Sequence, residues 1–155
     1  MMVAIPAISN TIKNSRKNAF VSTSGEIVSA VKNLVNADSI KCGDTNLSGA
    51  GEGTYILKLS SDADDGNSKW TDLLDGGVKS PFGGSSLYGT VQIYIDANSN
   101  YDYKLYLTDK SYCIGTSSAP VDPKKVSRTD VTNSSCGTEF MSAGTGVKEC
   151  SINAN

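Results

Sequence analysis

The side chains of this 155-residue chain that could take part in covalent or metal chemistry are four cysteines and several clustered carboxylates. The cysteines are even in number, widely spaced and free of CxxC pairs, and they lie at Cys42, Cys113, Cys136 and Cys150. This spacing argues against a zinc knuckle, an iron–sulfur cluster and a thioredoxin-type dithiol. It favours two structural disulfides in an exported protein, with buried free thiols in a cytosolic protein as the alternative. Three pairings are open.

Oxygen-bearing side chains alternate along one loop, at Asp96, Asn98, Asn100 and Asp102. Such alternation is typical of the first half of a calcium-binding loop, but the glycine at the sixth position and the distal glutamate are missing. Asn and Asp are also preferred in hairpin turns, because they tolerate left-handed backbone and form local hydrogen bonds. We therefore favour a turn, with a calcium site as the alternative, and expect no other cofactor.

The chain contains no histidine, and its 14 basic and 16 acidic residues leave a net charge of −2. The lack of histidine excludes Ser-His and Cys-His nucleophile pairs, His-ligated zinc and haem, and a histidine pH switch. The charge balance provides no basic excess for a phosphate backbone, so nucleic acid is not an expected partner. No catalytic group is recognisable, and we predict that the protein is not an enzyme.

Two further groups of side chains have ordinary structural interpretations. The five aspartates between residues 62 and 75 predict a solvated loop, with a cation site or a contact with basic residues of another subunit as alternatives. Tyr94, Tyr103 and Tyr106 are expected to alternate between the core and the outer face of a sheet. A sugar-binding platform built from these rings is the alternative.

A long helix is predicted over residues 5–36, where apolar side chains recur within about 100° of one another. Pro6 would either open this helix in its first turn or kink it. At about 1.5 Å per residue the helix would be about 45 Å long, which strands of five or six residues cannot cover. We therefore expect the residues after about Phe20, including Ile27, Val31 and Leu34, to pack on a sheet. Those before it should be partly exposed, among them Ile5, Ile8 and Ile12.

The remaining sequence predicts strands. Residues 54–59, 90–95 and 103–107 alternate between apolar and polar side chains, and the last two flank a polar loop as an antiparallel hairpin. The order of elements predicts an α+β domain in which the long helix packs on an antiparallel sheet. We expect four successive parts, namely a helix (5–36), a connecting loop (37–53), a sheet region (54–115) and a cysteine-bounded C-terminal region (116–155).

The opening residues carry a family resemblance. Residues 3–20, VAIPAISNTIKNSRKNAF, resemble the second part of the N-terminal helix of type IV pilins and pseudopilins. In that family a cleaved leader precedes a hydrophobic helix, which commonly closes with an AIPA segment, here Ala4-Ile5-Pro6-Ala7, before it turns amphipathic. The segment SPFGGS at residues 80–85, followed by a hairpin and a cysteine-bearing tail, is similar to pilins of Gram-positive bacteria. The leader, the first part of the helix and its assembly glutamate have no counterpart here, so we expect an N-terminally shortened form.

The resemblance implies a structural subunit of an extracellular type IV pilus, acting in adhesion, motility or surface attachment. Its partners would be other pilin subunits in a helical homopolymer, and the pilus assembly machinery in the membrane. The missing N-terminal segment would reach that machinery and would anchor the subunit before assembly. The implied assembly face comprises Ile5, Pro6, Ile8, Ile12 and Arg16.

The resemblance also implies a disulfide pairing. Cys136–Cys150 would match the disulfide-bounded C-terminal region of pilins, and Cys42–Cys113 would then tie the end of the helix to the sheet. Two other functions remain open: a pseudopilin of a type II secretion or competence system, and a secreted adhesin or carbohydrate-binding module that acts as a monomer.

Overall fold

A computed structural model describes residues 5–61, 67–83, 86–134 and 136–153, without the side chains of Ile5 and Pro6. Its longest element is helix α1, Ile5–Asn36, which confirms the predicted helix at its full length of 32 residues. The helix ends because Asp38 adopts a left-handed backbone with φ 57°. The N–H groups of Asp38 and Ser39 then donate to the carbonyl oxygens of Val35 and Leu34, as in a Schellman cap.

Short strands and a one-turn helix make up the rest of the fold. The helix is α2 (Trp70–Leu73), and the strands are β1 (Ile40–Cys42), β2 (Thr45–Asn46), β3 (Gly53–Ser60), β4 (Ser68–Lys69), β5 (Tyr88–Ile95), β6 (Tyr101–Thr108), β7 (Cys113–Ile114), β8 (Val131–Thr132) and β9 (Val147–Ile152). Within the described ranges the strand order is β2-β1-β9-β3-β5-β6-β7-β8, and β4 pairs with β3. Strand β3 is parallel to β4 and β9, whereas its pairing with β5 and the other pairings are antiparallel. The α+β prediction is confirmed, with a sheet that is mixed rather than wholly antiparallel.

Two regions differ from the sequence-based expectation. The stretch 37–53 was expected to be an irregular connection, but it contains β1, β2 and the 3-10 turn Leu47–Gly49. The C-terminal region contributes β9, which lies inside the sheet between β1 and β3. Strand β9 shows little apolar alternation because only Cys150 among its residues is fully buried. Its position in the sheet depends on pairing with β1 and β3 rather than on a hydrophobic alternation of its own.

The main core lies between α1 and one face of the sheet. Alternate residues of β3, β5 and β6 point to this face, and the fully buried ones among them are Tyr55, Leu57, Leu59, Val91, Ile93, Ile95, Leu105 and Leu107. The helix contributes the buried side chains Phe20, Ile27, Val28, Val31 and Val35. The expected packing of residues after Phe20 is therefore confirmed. Leu34 is only partly buried, and Val28 and Val35, outside the predicted stripe, are buried.

Trp70 of α2 closes one end of this core. Its indole N–H donates to the carbonyl oxygen of Leu87 at 2.8 Å, so the buried ring has no unpaired donor. The ring lies directly against the backbone of Gly89 in β5, where an added Cβ would be 2.6 Å from the Cη2 atom of Trp70. A glycine in the strand is therefore required for the tryptophan to pack.

The outer face of the sheet carries a second, smaller core of Tyr106, Cys113, Cys136 and Met141. The segment from Cys136 to Met141 crosses this face. The Tyr106 hydroxyl lies 2.6 Å from the carbonyl oxygens of both Cys136 and Thr138, and the N–H of Met141 donates to Thr90 Oγ1 at 3.1 Å. The C-terminal segment thus covers one end of the outer face.

The disulfides are Cys42–Cys150 and Cys113–Cys136, so the predicted pairing of Cys42 with Cys113 and Cys136 with Cys150 is wrong. The strand register explains the difference. Pairing of Lys41 with Ser151 brings Cys42 opposite Cys150, with their Cα atoms 4.1 Å apart. Cys113 lies opposite Thr132, and Cys136 follows four residues later, with a Cα–Cα distance of 5.4 Å. Cys42 thus pairs with the cysteine of the neighbouring strand β9, and Cys113 pairs with the cysteine that follows the neighbouring strand β8.

Candidate assembly surface

The N-terminal half of α1 is exposed. Ile8 and Ile12 are 57% and 48% exposed, as predicted for the part of the helix that the sheet does not reach. Counting from Ala7, where the described side chains of the helix begin, Phe20 is the first fully buried residue, so the exposed stretch before it is roughly 20 Å long. Exposed large apolar side chains on one helix are characteristic of an interaction surface. For Ile5 and Pro6, which were predicted to belong to it, the side chains lie outside the described part of the structure.

The exposed half of the helix is basic. Residues 5–25 contain three cations, at Lys13, Arg16 and Lys17, and no carboxylate. None of the three forms a salt bridge with a described residue. These charges remain available for an acidic partner or for solvent.

Two aromatic rings extend the apolar surface sideways from the helix. Phe82 stacks on Tyr112 with ring centroids 3.8 Å apart, and it meets Phe20 edge-on at 5.8 Å. Together with Ile12 and Arg16, these two rings line a groove of about 250 Å³ beside the helix. The groove has an apolar wall on the sheet side and a cationic rim on the helix side.

One buried carboxylate positions both rings. Asp109 accepts hydrogen bonds from the N–H of Tyr112 at 2.7 Å and from the hydroxyl of Ser80. The Ser80 oxygen in turn accepts from the N–H of Phe82 at 3.2 Å. Asp109 and Ser80 are both buried, so the two loops that carry the rings are tied together inside the protein. Buried carboxylates require such donors because an unpaired charge is costly to desolvate.

Sequence reasoning missed Phe82, Tyr112 and their support. A signal was present, because Phe82 is an aromatic residue inside the glycine- and proline-containing turn SPFG, where an apolar side chain needs a packing partner. Its partners Phe20 and Tyr112 are far away in the chain, and alternation within either segment does not reveal the contact.

The alternating loop is a hydrogen-bonded hairpin turn. Asp96 Oδ1 accepts from the N–H groups of Asn98 and Asn100, both at 2.8 Å, and Oδ2 accepts from the side-chain amide of Asn100 at 2.9 Å. These bonds, the side-chain bond from Asn100 foremost, lower the pKa of Asp96. Asp102 lies on β6 opposite Tyr94. In the described ranges, no group of three or more Cys, Asp or Glu side chains is placed to hold a metal ion.

The other predicted site residues lie in different parts of the structure. Asp72 accepts from the N–H of Lys69 at the start of α2, whereas Asp62, Asp64 and Asp65 lie outside the described residues. Tyr103 packs on the helix side of the sheet. Burial raises its pKa to about 12, and the neighbouring Tyr101 adds to this shift. Tyr94 and Tyr106 lie on the outer side, in agreement with the predicted alternation.

Comparison with known proteins does not indicate a function for this surface. No protein-family model, curated protein or solved structure matches the chain. Among the described helices, none combines the length and the apolarity needed to cross a membrane. What the exposed helix does must therefore be inferred from its own residues.

Proposed function

We propose that this chain is the structural subunit of a type IV pilus, a filament in which the exposed half of α1 packs against the same helix of neighbouring subunits. The observation that carries the proposal is the exposure of Ile8 and Ile12 on a helix whose other half forms the core of the domain. The same helix begins with Ile5-Pro6-Ala7, which belong to the segment Ala4-Ile5-Pro6-Ala7 that resembles the corresponding part of pilins.

The proposed contact is heterologous. One face of the exposed helix packs against a different face of the same helix in the next subunit, and such contacts propagate as a filament when the rotation does not close into a ring. The groove beside the helix offers a place for part of a neighbouring subunit, because Phe82 and Tyr112 add apolar area next to Ile12. Lys13 and Arg16 at its rim favour an acidic segment of that neighbour.

The proposed subunit needs no catalytic group, because it acts by burying surface in a polymer and not by transforming a substrate. Before assembly it is held at the membrane by a hydrophobic segment upstream of Val3, where the assembly machinery of pilins acts. After assembly it is extracellular, which accords with two disulfides in a small domain.

A chimera tests the proposal. The leader and hydrophobic half-helix of a Gram-positive type IV pilin are placed ahead of Val3, and the fusion is expressed in a host whose own major pilin is deleted. We expect the chimera in fibres sheared from the cell surface, detected by immunoblot and electron microscopy.

Two variants of the chimera identify the surface. Replacing Ile8 and Ile12 together with alanine should strongly reduce the amount in sheared fibres, because both side chains lose their packing area. Asn14→Ala, on the opposite side of the same helix, is the matched control and should assemble normally. A chimera that stays in the membrane or is released as a monomer would contradict the proposal, and release would favour a secreted monomeric adhesin.

A further inference from the structure

The outer face of the sheet has an open end that the C-terminal segment does not cover. Here a depression of about 220 Å³ is lined by Thr54, Gln92, Tyr94, Asp102 and Lys104. Tyr94 is 42% exposed, more than any other aromatic side chain in the described ranges. The depression therefore combines one accessible aromatic ring with four polar side chains.

Strand register places these five side chains on one face in two adjacent rows. Thr54, Tyr94 and Asp102 lie opposite one another across β3, β5 and β6. Gln92 and Lys104 form the next row on the same face, beside the buried Ile56. The five side chains thus form a grid of two rows across three strands, and the Tyr94 ring is in the centre of the row nearer the β5–β6 turn.

The hairpin turn holds this grid in place. Tyr94 and Asp102 lie two residues before and two residues after the turn 96–100, in which the Asp96 carboxylate accepts three hydrogen bonds from Asn98 and Asn100. A site on a closely hydrogen-bonded hairpin loses little conformational freedom when a ligand binds.

The polar groups of the depression have no internal partners. None of the five side chains forms a hydrogen bond, an ion pair or a ring contact with another described residue in the structure. A carboxylate, an ammonium group, a carboxamide and a hydroxyl thus surround an aromatic face with their donors and acceptors free.

We propose that this depression binds a single neutral sugar ring. The apolar C–H face of a pyranose would stack on the Tyr94 ring, and its hydroxyl groups, which both donate and accept, would bond to Asp102, Lys104 and Gln92. One carboxylate beside one ammonium leaves the site without net charge, which favours an uncharged ligand. A volume below the ~300–1,000 Å³ of pockets for drug-sized ligands limits the site to about one ring.

Other ligand classes fit less well. A phosphate or a sialic acid would meet the carboxylate of Asp102 directly. An apolar peptide would contact a single ring and would remove water from four polar side chains without offering them hydrogen bonds. The inference does not depend on the filament proposal, because the site is complete within one chain.

Titration of the isotopically labelled domain with neutral monosaccharides tests the inference. Methyl β-glucoside, methyl β-galactoside and N-acetylglucosamine are added while amide and side-chain signals are followed by NMR. We expect at least one of them to shift the signals of Gln92, Tyr94 and Lys104 saturably, with a millimolar Kd. Tyr94→Ala should weaken that binding about tenfold or more, because the central aromatic is removed.

Tyr94→Phe is the matched variant, since it keeps the stacking face and removes only the hydroxyl, and it should retain most of the affinity. Lys79→Ala, an exposed lysine that lies near Trp70 and away from the depression, should bind normally. The inference is overturned if no neutral sugar produces a saturable shift, if Tyr94→Ala binds like the parent chain, or if only sialic acid or inorganic phosphate binds.

Discussion

Individual aspartates organise the loops of this protein by accepting hydrogen bonds from nearby N–H groups. Asp96 does so in the β5–β6 turn, Asp109 in the turn before β7, and Asp130 at the 3-10 turn that begins at Arg128. The pKa of Asp96 and that of Asp130 are both lowered by such bonds. At this scale the three carboxylates act as structural acceptors, and the titration of Asp96 and Asp130 reports whether their turns are formed.

The Asp96 turn gives a prediction about pH. We expect the carboxyl of Asp96 to titrate below its ordinary range in the folded protein, and Asn100→Ala to raise that pKa, because the side-chain bond from Asn100 is the largest cause of the shift. Since the folded pKa is below the unfolded value, the turn stabilises the fold above about pH 4, and this contribution is lost as the pH falls through the folded pKa. NMR titration of the side-chain carboxyl carbon measures both values.

Asn98→Ala is the control for this titration. Asn98 donates to Asp96 through its backbone N–H, which alanine keeps, so the variant should leave the pKa of Asp96 nearly unchanged. Equal shifts in the two variants would contradict the assignment of the shift to the Asn100 side chain.

At the scale of elements, α1 has two halves with different environments. The half after Phe20 is buried on the sheet, and the half before it is exposed. The sheet edges offer little alternative surface for assembly, because β2 and β8 at its two ends have two residues each. Very short edge strands limit strand addition by another chain. This leaves the helix as the more extensive surface for association.

Paired truncations on α1 test this division. Ile27→Ala should lower the free energy of unfolding by about 2–5 kcal/mol, because it leaves a cavity at a fully buried position. Ile8→Ala removes a side chain that is already largely in water, so the isolated domain should unfold at nearly the same denaturant concentration as the parent. Urea unfolding followed by far-UV circular dichroism measures both effects. If both variants lose similar stability, the whole helix belongs to the core.

At the scale of the whole molecule, a disulfide joins β1 and β9, the first and the last strands along the described part of the chain. Cys42 and Cys150 are 108 residues apart, whereas Cys113 and Cys136 are separated by 23. Strand β9, which carries Cys150, lies between β1 and β3, so this bond ties the C-terminal strand to the strand that follows α1. A disulfide that closes a longer loop restricts the conformations of the unfolded chain more than one that closes a shorter loop.

This difference predicts unequal effects of removing the two disulfides. The chain-entropy model gives a loss of about 4.8 kcal/mol for replacing Cys42 and Cys150 with serine, and about 3.4 kcal/mol for replacing Cys113 and Cys136. Urea unfolding of the two double variants measures the order, and peptide mapping without reduction identifies the bonds. A Cys136–Cys150 peptide, or a larger loss for the shorter loop, would contradict this account.

The sequence by itself determined those helices and strands whose hydrophobic periodicity repeats within one continuous segment of the chain. The 32 residues of α1 and the alternating strands β5 and β6 were predictable because helical and strand periodicities are local properties. The exposure of Ile8 and Ile12 followed from length alone, since a helix of about 45 Å exceeds the sheet beneath it.

Only the tertiary structure decided what depends on contacts between distant segments. Strands of two or three residues, such as β1 and β7, are too short to carry a periodic signal, and register between strands decides which cysteines meet. The stacking of Phe82 on Tyr112 and the grouping of Asp102 with Thr54 depend likewise on which strands and loops become neighbours. Such neighbours are selected by the packing of the complete chain, because each local segment is compatible with several partners.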